Sequence, residues 1–177
     1  MNKEEVYENI KNILTANGIV TEEIRHEEVH TTDDSKRERA AKGWTEGIGS
    51  KNLVFHAKGK FYLVVTTAEK EIKARKFKKE FGTKDIRFAY QEELTEHTGC
   101  EIGSIPPFGY LNDQLPIFVD NEIFTYPYFM FNPAINTKSI RVKTDDLKRI
   151  YASVKNPVKF FTITEDGIEL EELIKQA

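Results

Sequence analysis

Apolar positions along this chain change period several times, and each change marks an element. Val6, Ile10, Ile13 and Leu14 recur at helical spacing and Gly18 stands where the run stops, so residues 2–17 read as an amphipathic helix. Residues 21–30 fit neither period. Thr32-Asp33-Asp34 opens a short polar helix to about Lys42, after which Gly43, Gly47 and Gly49 mark a mobile, hinge-like connection. Residues 52–55 and 61–65 flank Ala57-Lys58-Gly59-Lys60 as a hairpin. Its second strand is apolar on both faces, which puts it centrally in a sheet.

Residues 72–81 predict a helix with Ala74, Phe77 and Phe81 on one side, residues 86–89 a strand, and a short helix from Gln91 ends at Gly99. Residues 115–120, 128–131 and 139–142 read as strands, Thr144-Asp145-Asp146 as the start of a helix through Tyr151, and residues 158–162 and 167–175 as a last strand and a last helix. Helices and strands interleave, but several strands meet through hairpin-length connections. The class is therefore α/β with a mixed sheet, expected as one domain over residues 1–177.

Composition narrows the setting. With 39% apolar and 31% charged residues the chain is that of an ordinary folded protein. A single cysteine excludes an internal disulfide, and the charged, amphipathic start lacks the apolar stretch of a signal peptide, so a cytoplasmic location is expected. The apolar run at 61–65 is far short of the roughly 20 residues of a membrane span, so no membrane role is expected. A net charge of −3 excludes a general nucleic-acid binder and leaves only local RNA contact. Six basic residues between Lys70 and Lys79 supply one such surface, with Lys73, Lys76 and Lys79 as candidates for RNA phosphates. A solvated helical face diluted by Glu69, Glu71 and Glu80 explains them equally well.

Chemistry concentrates in two places. In Gly99-Cys100-Glu101-Ile102-Gly103-Ser104-Ile105-Pro106-Pro107-Phe108-Gly109, consecutive prolines exclude helix and interior strand, while glycines let a ligand approach the backbone. Lys51 precedes an apolar strand, so its stem lies along the core and its ammonium reaches the strand end, where it can hold a phosphate or an oxyanion. Each feature alone is also explained by a structural turn or an edge charge. His26-Glu27-Glu28-Val29-His30 matches H-E-x-x-H, the zinc-peptidase pattern, but its flanks are too polar to bury a helix and no third ligand stands at an obvious spacing. Cys100 with His97 makes a weak nucleophile pair, and Tyr126, Tyr128, Phe129 and Phe131 suit sheet packing better than base stacking.

Taken in order, Ser50-Lys51-Asn52-Leu53-Val54-Phe55, Gly103 to Gly109 followed by Asn112-Asp113, Phe118-Val119-Asp120, and Phe131-Asn132-Pro133-Ala134-Ile135-Asn136-Thr137 resemble the YbaK and ProX family. That family is the aminoacyl-tRNA deacylase domain also found inserted in bacterial prolyl-tRNA synthetases, and the resemblance runs from about Glu23 to Tyr151. It implies a barrel-like mixed sheet flanked by helices and a site without metal or cofactor that hydrolyses, in trans, the ester of mischarged tRNA. Aminoacyl-tRNA is the implied partner and a synthetase a second candidate.

The resemblance implies a catalytic lysine at Lys51, near the terminal adenosine or its phosphate, and a catalytic loop glycine at Gly103, whose backbone helps place ester or water. It implies substrate contacts from Ser104, Ile105, Pro106, Pro107, Phe108, Gly109, Asn132 and Ser139. Asn132 falls where alanine-specific members carry histidine and others serine, Ser139 where some relatives carry an acidic residue, and Ala134 where glycine is common, so the amino acid removed stays open. The family pattern around His26 to Thr31 is extended, which counts against zinc. Editing also fits the physics: a hydrophobic pocket separates side chains differing by one methylene by only roughly 1–3 kcal/mol, so a second sieve is needed. Two rivals remain, a zinc metallopeptidase using His26, Glu27 and His30, and a non-catalytic module that binds tRNA or a synthetase.

Overall fold

A computed structural model describes residues 1–173 and 175. Helix α1 (Lys3–Ala16) starts at Asn2, whose side chain accepts from the Glu5 amide, and buries Val6, Ile10 and Leu14. The ambiguous stretch resolves into strand β1 (Glu22–Arg25) and an irregular extended segment, and α2 (Thr32–Ala41) follows with Thr31 as its cap. β2 (Ile48–Ala57) and β3 (Lys60–Thr67) form the expected hairpin. Its two-residue turn, Lys58-Gly59, has φ of 52° and 74°, the paired positive values that match the twist of the flanking strands.

β4 (Arg87–Phe88), α4 (Gln91–Thr98), β5 (Ile117–Asp120), β6 (Tyr128–Phe131), β7 (Lys138–Lys143), α5 (Thr144–Ser153) and β8 (Val158–Ile163) lie close to their predicted positions. The segment at 72–81 is less regular than expected. A 3-10 turn, Ala74–Phe77, runs into one turn of α3 (Lys78–Phe81), because Lys73 is extended and Gly82 ends the helix in the left-handed region.

The last predicted helix is instead strand β9 (Ile168–Glu172), antiparallel to β8 from Ile163↔Ile168 to Lys159↔Glu172. The alternation Ile168-Glu169-Leu170-Glu171 serves a strand as well as a helix, and the open edge of β8 beside the Gly167 turn decides between them. Residue 174, within that predicted helix, lies outside the described residues. The expected hinge is also packed: Gly49 lies within β2, and a Cβ at Gly47 would come 2.6 Å from the Tyr128 carbonyl oxygen.

The nine strands among the described residues form one mixed sheet in the order β1-β7-β6-β2-β3-β5-β8-β9, with β4 on the second edge of β2. The path is open; among the described residues no pairing joins β1 to β9. Alternating residues feed opposite faces. Val54, Leu63, Val65, Ile117, Val119 and Phe160 join α1 and α5 in the larger core. Phe55, Val64, Phe118 and Phe161 pack with Phe77 and Phe81 in a smaller aromatic one. Among the described residues no helix is long and apolar enough to cross a membrane.

Candidate active site at the open edge of β2

β2 pairs with β3 from Ser50 to Ala57, but its other edge meets β6 only at Ile48 and Gly49 and β4 only at Phe55 and His56. Residues 50–54 therefore present an edge that, among the described residues, no strand covers. The Gly49 carbonyl accepts from Ala68 on the β3 side and the Val54 carbonyl from Ala89 on the other. Strand alternation then turns the main chain of Asn52 toward the open edge. A cavity of about 400 Å³ fills this gap. Its walls are residues 50–54, the start of α2 with the preceding His30 and Thr31, Leu94 of α4, the loop residues Ile102, Gly103 and Ile105, and Asn132 after β6. Phe88 and Ile102, 58% and 64% exposed, form apolar lips at its mouth.

Lys51 lies in this wall, and its Nζ donates to the Lys70 carbonyl at 2.7 Å, leaving two N–H bonds without a protein partner among the described residues. Lys70 is itself held by Asp120 at 2.7 Å, a carboxylate that also accepts from Thr66 and from the Glu122 amide. Gly103, with φ of 93°, brings the loop backbone against His30. The Ser104 amide donates to the Glu101 carbonyl, whereas the Gly103 and Ile105 amides on either side have no protein acceptor among the described residues. Asn52 ties strand to loop, since its Nδ2 donates to Ser50 Oγ at 3.0 Å and to the Ile105 carbonyl at 2.9 Å. Its Oδ1 is buried without a partner among the described residues. Asn132 is fixed by donation from Nδ2 to the Lys138 carbonyl at 2.8 Å.

The rest of the double-proline loop turns away from the cavity. Prolines contribute no donors, and the carbonyls here are met by side chains: Tyr110 Oη donates to Pro106, Tyr151 Oη to Pro107 at 2.8 Å, and Asn9 Nδ2 to Gly109 at 2.8 Å. Ser104, Pro106, Pro107, Phe108 and Gly109 are buried and do not line the cavity.

Ser139 is fully buried and also off the lining, between Arg39 Nε at 2.9 Å and His26 Nε2 at 2.8 Å. His26 Nδ1 sits 2.7 Å from the Glu27 carbonyl, which can only accept, so Nδ1 is the donor of that contact. Among the proposed RNA contacts, Lys73 and Lys79 are exposed, but Lys76 donates to the Thr164 and Glu165 carbonyls at 2.7 Å each and clamps the β8–β9 turn.

The H-E-x-x-H match does not form a helix. His26 to His30 are irregular, His26 is committed to Ser139, and His30 points its Nε2 to Glu28 at 3.7 Å. Cys100 is no nucleophile either. Its thiol is fully buried, burial pushes its pKa up to about 12, and Sγ lies against the Thr98 carbonyl, while the ring of His97 packs on Phe61. Reading by sequence missed Asn52, Phe88, Leu94 and the start of α2. Of these only Asn52, next to Lys51, carried a local signal.

Residues 26–150 match the aminoacyl-tRNA editing domain. The chain is 30% identical over 114 residues to the multifunctional Ser/Thr-tRNA deacylase ProXp-y of Escherichia coli K12, covering 62% of this chain and 68% of that protein. It is 34% identical over 96 residues to a proline–tRNA ligase of Bacillus licheniformis, 53% of this chain but only 17% of the ligase. A crystal structure described as a candidate trans-editing enzyme for prolyl-tRNA synthetase superposes with a TM-score of 0.69 at 22% identity over 86% of this chain and 94% of the other, a likeness of fold.

Proposed function

The chain belongs to the aminoacyl-tRNA editing domain family, and from that premise we propose that it is a trans-acting deacylase that hydrolyses the ester of mischarged aminoacyl-tRNA in the β2 cavity. The observation that carries this is the meeting of Lys51, Gly103 and Asn132, from three separate parts of the chain, on one cavity. The acceptor end enters past Phe88 and Ile102, and the free N–H bonds of Lys51 take the phosphate of the terminal adenosine. Water attacks the ester carbonyl carbon. The oxyanion forms facing the unpartnered amides of Gly103 and Ile105, which need no reorganisation because the loop behind them is pinned. Collapse breaks the bond to the ribose oxygen, which leaves as a hydroxyl with a proton from the water.

Asn132 sits where it bounds the amino-acid side chain. No side-chain nucleophile is required, because an ester is already activated and positioning supplies much of the remaining barrier reduction. The similarity to one segment of a proline–tRNA ligase supports a synthetase as a further partner, and the exposed Lys73 and Lys79 suit contacts to the tRNA body.

A panel of aminoacyl-tRNAs tests the reading. At least one mischarged species is deacylated, and Lys51→Ala slows that reaction by about 10²-fold while thermal stability is kept. A panel with no substrate, or a fully active Lys51→Ala protein, overturns it.

A further inference from the structure

One turn along α2 from Ser35, a charge is buried that no described residue neutralises. Arg39 is 4% exposed, and its only side-chain hydrogen bond among the described residues is from Nε to the neutral Ser139 hydroxyl; no carboxylate reaches it. Burial lowers its pKa to about 10, so the guanidinium is still cationic at neutral pH. A buried cation without an anion is destabilising, and its usual completion is a carboxylate or a phosphate met in the planar fork of Nη1 and Nη2.

Arg39 lines a second cavity, of about 300 Å³, walled by Trp44, Tyr126 and Met130. Gly49 keeps the guanidinium accessible, because a Cβ there would lie 2.9 Å from Nη1. The acidic groups of this cavity do not serve Arg39. Glu69 is paired with Lys36 at 3.0 Å in an exposed bridge, and Asp33 is exposed on the first turn of α2. Thr32 borders both this cavity and the one at β2.

We infer that this second cavity is a phosphate subsite, with the terminal nitrogens of Arg39 holding the phosphate oxygens and Trp44 and Tyr126 offering an apolar wall to whatever the phosphate carries. The shared border at Thr32 makes the next phosphodiester back along the CCA end, one nucleotide before the phosphate assigned to Lys51, one source, a step that rests on the deacylase reading; a free phosphate compound is the other. Ser139 is a neutral partner, which leaves the cation available to the ligand.

Calorimetric titration of the full chain with inorganic phosphate and with uncharged CCA trinucleotide decides the matter, using wild type, Arg39→Met and Gly49→Ala. Gly49→Ala obstructs Nη1 while retaining the charge, so it carries the test if Arg39→Met does not fold. Phosphate binds wild type and binds both variants about tenfold or more weakly, the weight of a charge-assisted contact. If the trinucleotide binds more tightly than phosphate and loses affinity in step, with KM for aminoacyl-tRNA raised and kcat held, the substrate's own phosphodiester is the ligand. If only phosphate binding depends on Arg39, the subsite stands and serves a free phosphate compound. Binding of neither ligand, or binding indifferent to both variants, overturns the subsite; because this is read by binding alone, deacylase activity and its dependence on Lys51 are judged separately.

Discussion

The two halves of the segment from Gly103 to Gly109 meet the rest of the molecule in opposite ways. Gly103 and Ile105 border the β2 cavity and have amides without a protein acceptor among the described residues, whereas from Pro106 to Gly109 the side chains are buried and the carbonyls of Pro106, Pro107 and Gly109 are held by Tyr110, Tyr151 and Asn9. Ile105 belongs to both, since its carbonyl is held by Asn52 from the strand. The difference shows how a loop can be held rigid without belonging to a sheet. Proline removes amides that would need partners, core side chains fix the carbonyls that remain, and the residues that border the cavity are held from behind.

Substitutions that separate the halves test this division. The largest effect is expected at Gly109, where φ is 102° and an added Cβ would sit 2.2 Å from Ile10 Cγ1 in α1. Strain and overpacking together make Gly109→Ala cost about 3–5 kcal/mol by chemical denaturation. Activity falls only as the folded fraction falls, and a protein that keeps wild-type stability would show that α1 does not hold the loop. Next comes Tyr151→Phe, which leaves the buried Pro107 carbonyl without its donor and costs about 1–3 kcal/mol. At a temperature where the variant is fully folded, its KM stays within about twofold of wild type, a difference worth under about 0.5 kcal/mol. A large KM change at unaltered stability would place Tyr151 in substrate binding instead.

How much of this was legible beforehand depends on whether a residue's role is local. The hairpin could be read because β3 is apolar on both faces and Lys58-Gly59 is a turn by itself. β9 could not, because Ile168 to Glu172 suits either period and only the free edge of β8 selects a strand. The order of family-like segments singles out Lys51 and Gly103, and both border the β2 cavity. The gap along β2 was invisible, since it is made by what β4 and β6 fail to cover. Ser139 illustrates the same limit: its position in the chain suggested the pocket, but the pleat turns it inward to Arg39 and His26. Arg39 itself, one charge among many on a polar helix, gave no sign of being buried.

The smallest stability effect, and the sharpest comparison, is expected at Gly103. Its φ of 93° disfavours any side chain, but an added Cβ would meet the His30 carbonyl oxygen at 3.4 Å, ordinary contact rather than collision. Gly103→Ala should therefore cost only about 1–2 kcal/mol, from the backbone strain alone. The strain falls on a residue that borders the cavity, so on the deacylase reading deacylation should drop by about tenfold or more in kcat, with the Tm shift no larger than for Tyr151→Phe. That inverts the pattern at Gly109, where stability collapses and kcat per folded molecule is kept. If Gly103→Ala lost stability and activity in proportion, the loop would have no working half. The amides of Gly103 and Ile105 would then be unpartnered for reasons unconnected with the ester, and the oxyanion would have to be stabilised from Lys51 and the edge of β2.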